Sequence, residues 1–116
     1  MHTVLIAHSQ RKKGDLVKPP KLERDIEADF VKKAKQAGWL CRKLNGAGAR
    51  GWPDQLVCGP SGVVCFIEFK RPGLLDNLSG NQVRVVSELR ALTQHVLVTD
   101  SAEEAYEFAK TRFDKA

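Results

Sequence analysis

Val63-Val-Cys-Phe-Ile-Glu-Phe-Lys70 decides how this chain folds. Side chains of a strand alternate between its faces, so Val64, Phe66, Glu68 and Lys70 share one face and Cys65, Ile67 and Phe69 the other. Both faces are apolar up to Glu68, which is the pattern of an interior strand covered on both sides. A carboxylate and an ammonium then end the strand, pointing the same way. Holding such charges in low dielectric costs several kcal/mol each unless they are paired or bind metal. Two readings follow: an ion pair at a strand end emerging into water, or part of a chemical site.

Working upstream, Gly59-Pro-Ser-Gly62 is a turn and residues 55–58 are a short strand. A hairpin through that turn makes the two strands antiparallel neighbours. Asp54, in Gly51-Trp-Pro-Asp54, then lies beside Glu68 and Lys70. Two carboxylates and a lysine converge at one sheet edge, and hard oxygen ligands of this kind suit Mg²⁺ or Mn²⁺. A divalent ion polarises a phosphate and makes hydroxide available near neutral pH. A lysine beside it can orient or deprotonate the water, or neutralise charge developing on the phosphate.

Farther out, Ile26, Phe30, Val31, Ala34 and Ala37 recur at helical spacing, predicting a helix over 23–37 stopped by Gly38. Residues 39–44 read as a strand and 45–53, with their glycines and proline, as a loop. Arg71-Pro72-Gly73 ends the central strand. Ser79 opens a second helix to about Thr93, residues 95–99 form a fourth strand, and Asp100 or Ser101 caps a last helix through Arg112. The order αβββαβα predicts an α/β fold with a mixed four-stranded sheet flanked by helices. The 116 residues suit one domain, 22–116, preceded by a basic arm, 1–21, in which Val4-Leu5-Ile6 is a candidate short added strand.

Lys and Arg number 19 against 14 acids, a net charge of +5, which favours a polyanionic partner such as nucleic acid. No apolar run reaches the roughly 18 residues of a membrane helix. The start lacks the basic lead of a secretory signal, so an intracellular protein is expected, in a bacterial cytoplasm or phage-encoded and acting in that of the host. Cys41, Cys58 and Cys65 are odd in number with no C-x-x-C spacing and read as free thiols. His2, His8 and His95 show no ligand spacing. The glycine-rich loop 46–51 lacks the G-K-[ST] ending of a phosphate-binding P-loop.

Pro53-Asp54, thirteen intervening residues, then Glu68-Phe-Lys70 resembles the PD-(D/E)xK nuclease signature. More narrowly, Glu23-x-x-Ile-Glu27, Gly51-Trp-Pro-Asp54, Glu68-Phe-Lys70-x-Pro72 and Leu78-Ser-x-x-Gln82 make residues 22–110 resemble a stand-alone VRR-NUC domain, the virus-type replication-repair nuclease module. The resemblance implies a restriction-endonuclease-like core and a Mg²⁺- or Mn²⁺-dependent, structure-directed DNA endonuclease. Four-way (Holliday) junctions are a reasonable substrate, and a homodimer with two sites would explain symmetric cutting. A replication or repair partner, such as a helicase or primase, is left open. It implies metal ligands from Asp54, Glu68, the Phe69 backbone carbonyl and an acid of the first helix. Glu23 and Glu27 are four apart and share a face. Glu27 is preferred, because Glu23 sits where the helix frays and also reads as a first-turn acid favouring the helix dipole. Ser79-x-x-Gln82 has capping-box spacing, while the resemblance gives Gln82 an active-site role; both can hold at once. Arg50, Arg71 and Lys43 are candidate DNA contacts. Competing readings are a catalytically inactive DNA-binding module of the same fold, a nuclease preferring flaps or nicked duplex, and a merely basic α/β interaction protein.

Overall fold

The structure, a computed structural model, describes residues 21–44 and 48–115. The candidate strand at Val4–Ile6 and the rest of the arm up to residue 20 lie outside them. The chain runs α1 (Glu23–Gln36), β1 (Leu40–Lys43), β2 (Gln55–Cys58), β3 (Val64–Phe69), α2 (Gly80–Ala91), β4 (His95–Thr99) and α3 (Ala102–Asp114). The sheet order is β1-β2-β3-β4, antiparallel except for the parallel pair β3–β4. This is the mixed four-stranded α/β architecture that the element order predicts.

β3 is interior, as its two apolar faces require. On one side Cys65, Ile67 and Phe69 pack with Ile26, Phe30 and Ala34 of α1 and with Ala105, Phe108 and Phe113 of α3. The Phe30 and Phe69 rings meet at 5.5 Å between centroids. On the other side Phe66 packs with Val85, Val86 and Leu89 of α2 and Val96 of β4. Two helices thus cover one face and one helix the other.

Local chemistry sets the element ends. α1 stops at Gly38, whose φ of +85° is the left-handed conformation that glycine takes without penalty. The turn between β2 and β3 is a single 3₁₀ turn, Pro60–Gly62. β1 is shorter than residues 39–44: Trp39 leaves the strand to stack on Tyr106 at 5.0 Å. Beyond its other end, the Leu44 N–H still donates to the Asp54 carbonyl at 2.9 Å. Ser79 caps α2 in a complete capping box with Gln82. Ser101, rather than Asp100, caps α3 by accepting from the Glu104 N–H.

These features bring four places together: the end of β3, the loop before β2, the first turns of α1 and the start of α2.

Candidate active site

Glu68 ends β3 with 3% of its surface exposed. Its Oε2 accepts from Lys70 Nζ at 3.3 Å and from Gln82 Nε2 at 2.8 Å. Its Oε1 is buried and has no hydrogen-bond partner among the described residues. Burial, and secondarily the Asp54 carboxylate, push the Glu68 carboxyl up to about 8 against the pull of Lys70. A carboxylate held with one oxygen unsatisfied at a charged cluster is a strained arrangement for a purely structural ion pair.

Asp54 arrives where the hairpin predicts. Its Oδ2 accepts from the Phe69 N–H at 2.8 Å, which ties the loop before β2 to the end of β3. Burial raises its carboxyl to about 6; the Phe69 N–H opposes that, and the Glu27 and Glu23 carboxylates add to it. Glu23 of α1 completes the cluster: Glu23, Asp54 and Glu68 each offer one carboxylate oxygen, all within 4.8 Å of one another. Three carboxyl groups at that spacing, with one Glu68 oxygen left without a partner, form a donor set that fits a hard divalent cation taking the place of the protons that burial favours. The Phe69 backbone lies at the same edge.

The helix acid in this cluster differs from the one preferred by sequence. Glu27 lies close enough to act on Asp54, but its own oxygens are engaged elsewhere: Lys43 Nζ donates to Oε1 and Oε2 at 3.1 and 3.3 Å and Gln55 Nε2 donates to Oε2. α1 begins at Glu23 itself, and this first helical residue is the one whose carboxylate lies near those of Asp54 and Glu68. Lys43, a candidate DNA contact, pairs with Glu27 while its side chain stays 55% exposed. Gln55 was not singled out by sequence, although the signal existed: it shares the inward face of β2 with Val57, and an inward polar side chain needs a partner.

Gln82 closes the capping box and also reaches the Glu68–Lys70 pair. Its backbone N–H donates to Ser79 Oγ and its Oε1 accepts from the Ser79 N–H, closing the capping box. The same side chain accepts from Lys70 Nζ at 3.3 Å and donates to Glu68. Gly51 explains how the loop before β2 comes so close to this helix. A Cβ there would sit 2.8 Å from the Asn81 backbone, and its φ is +84°. Only glycine allows the approach.

Arg50 and Arg71 are exposed, and their side chains have no ion pair or hydrogen bond among the described residues. His95 begins β4, exposed and outside any metal-ligand group among the described residues. Cys41, Cys58 and Cys65 are free, and burial pushes the Cys41 and Cys65 thiols up to about 11 and about 12. No helix among the described residues is long and apolar enough to cross a membrane.

No family model matches the sequence. The chain is 36% identical over 81 residues to a protein of Acyrthosiphon pisum secondary endosymbiont phage 1 named "Putative nuclease p44", covering 70% of this chain and 85% of that protein. A solved structure titled "VRR_NUC domain" superposes with a TM-score of 0.62 at 26% identity, over 76% of this chain and 94% of that one.

Proposed function

Since the chain belongs to the VRR-NUC family of nuclease domains, we propose that it is a Mg²⁺- or Mn²⁺-dependent endonuclease that hydrolyses phosphodiester bonds in branched DNA. The observation that carries the reading is the meeting of Glu23, Asp54 and Glu68 with Lys70 Nζ beside them and one Glu68 oxygen unsatisfied. Glu23, Asp54 and Glu68, with the Phe69 backbone carbonyl, would hold the cation. A divalent ion bound there supplies Lewis acidity toward a phosphoryl oxygen and eases ionisation of the attacking water.

The chain's own groups do the rest. Lys70 Nζ is held between Glu68 Oε2 and Gln82 Oε1, both at 3.3 Å, which fixes its direction toward the water or the phosphate. Gln82 holds Glu68 by one oxygen and leaves the other for a ligand. Asp54 is oriented by the Phe69 N–H. Glu27, paired with Lys43 and hydrogen-bonded by Gln55, supports the cluster from behind. Arg50 and Arg71, with a net charge of +5, supply the sequence-independent attraction to phosphates. Four-way junctions are the proposed preferred substrate, cut by a homodimer presenting two sites. The likeness to a phage protein supports action inside a host cell.

One cleavage panel tests this. Wild type and Glu68→Ala are incubated with Mg²⁺ or Mn²⁺ on linear duplex, flap, splayed-arm and four-way substrates, with mass measured by light scattering alongside. Metal-dependent cutting of branched DNA by wild type, lost in the variant, is expected. Equal activity in both proteins would place the chemistry elsewhere, and tight DNA binding with no cutting in any metal would make the protein a binding module.

A further inference from the structure

A cavity of about 400 Å³ opens beside the carboxylates and shares Glu23 and Lys70 with them. A phosphate held at the site therefore has a neighbouring unit of its strand within reach of this cavity. The remaining lining is mixed in a particular way. Arg24 and Arg71 supply cations; Arg24 makes only a loose 4.0 Å approach to Asp25, and the Arg71 guanidinium has no partner among the described residues. Leu22 and Leu74 supply apolar surface, and at 42% and 36% exposed both are unusually open for leucine. Asn77 adds an amide. The start of α1 also opens here: Leu22 stands at its N-cap with no side-chain cap, so the first N–H groups and the helix dipole favour an anion.

We propose that this cavity binds the nucleotide adjoining the scissile phosphate, and binds it unpaired; the proposal rests on the nuclease reading above. Cations and helix N–H groups suit the nucleotide's phosphate. The two leucines suit the face of a sugar or base, and the Asn77 amide suits a base edge. The volume, about 400 Å³, lies at the small end of small-ligand sites and matches a single nucleotide more closely than a stacked base pair. A nucleotide seated here beside the cut has left the duplex. Unpairing is cheapest where the strand is already free. Branch points, flaps and ends offer such residues, so the cavity gives this chain a local source of preference for branched DNA.

The test pairs binding with cleavage. With Ca²⁺ present, NMR titrations use thymidine 3′,5′-bisphosphate, its abasic tetrahydrofuran counterpart and inorganic phosphate. Thymidine bisphosphate is expected to shift the Leu22 and Leu74 methyls and the Asn77 amide, the abasic compound to bind at least tenfold more weakly, and phosphate to leave the methyls unmoved. Leu74→Glu, at a partly exposed position, should lose the discrimination while keeping its amide spectrum; Asn77→Asp provides a second variant. In Mg²⁺, wild type should cut a branched substrate at least tenfold faster than the same substrate made abasic beside the cut, and Leu74→Glu should cut both alike. Unmoved methyls, or equal handling of nucleotide and abasic forms by wild type, would overturn the subsite while cleavage itself leaves the nuclease reading standing. Absence of cleavage in Mg²⁺ and Mn²⁺ overturns the nuclease reading and, with it, the placement beside a scissile phosphate.

Discussion

Glu23 and Glu27 stand one helical turn apart on the same face, yet their surroundings differ completely. Glu27 is paired with the Lys43 ammonium and hydrogen-bonded by the Gln55 amide, whereas Glu23 lies with the Asp54 and Glu68 carboxylates. An acid already paired with a cation and an amide has less to gain from a metal than one facing like charge. Glu23→Gln is therefore expected to weaken Mn²⁺ binding by about 100-fold, and Glu27→Gln, acting only on the supporting network, by roughly 10-fold, within the range seen when groups around a metal site are removed. Isothermal titration of both variants checks this; equal losses, or the reverse order, would return the ligand role to Glu27. The Phe30 side chain marks the other limit at this scale. Fully buried against Phe69, it holds α1 on the sheet, and Phe30→Ala should destabilise by about 3–5 kcal/mol in denaturant melts.

At the scale of elements, the site depends on two chain segments pressed together, the loop before β2 and the first turn of α2. Gly51→Ala should place a methyl group against the Asn81 backbone and force a left-handed backbone on alanine, which alone costs roughly 1–2 kcal/mol. Relief by parting loop and helix would shift Asp54 away from Gln82 and Glu68, and misplacement by about 1 Å lowers turnover by about 10²-fold. Gly48→Ala is the matched control: its φ is +87°, but nothing among the described residues lies within 4 Å of the added methyl. It should lose stability by about the same backbone amount and keep its cleavage rate. Similar cleavage by both variants would remove the role assigned to the contact. The same comparison shows what sequence could and could not reveal. β3, its hairpin partner and the neighbouring Asp54 follow from alternation and one turn, because those contacts are local. The nearness of Glu23 to Asp54 and Glu68, the closure of Gln55 on Glu27 and the need for Gly51 depend on how α1 and α2 dock against the sheet. Spacing along the chain gives their faces but not their axial position.

For the whole molecule, the cluster links stability to both protons and metal. Burial raises the Asp54 carboxyl from 3.8 to about 6 and that of Glu68 from 4.5 to about 8, so the folded protein holds protons that the unfolded chain has released. A carboxyl whose folded pKa is raised contributes stability that is full below the unfolded value and lost as pH rises through the folded one. Most exposed carboxylates finish titrating by about pH 5, so the interval from pH 5 to 9 reports mainly on these two groups. The metal-free protein should therefore melt lower at pH 8.5 than at pH 5.5, by roughly 5 °C or more for a domain of this size. A divalent cation binds the deprotonated cluster and displaces those protons, so its stabilisation should grow as pH rises and cancel much of the loss. Glu68→Gln removes the larger of the two displaced titrations. In scanning calorimetry the variant should show a flatter pH dependence without metal and little response to Mg²⁺ or Mn²⁺. A metal-free wild type that gains stability across this interval, or a variant that keeps the full slope, would mean that the charge at the end of β3 is balanced by something other than a bound proton or cation.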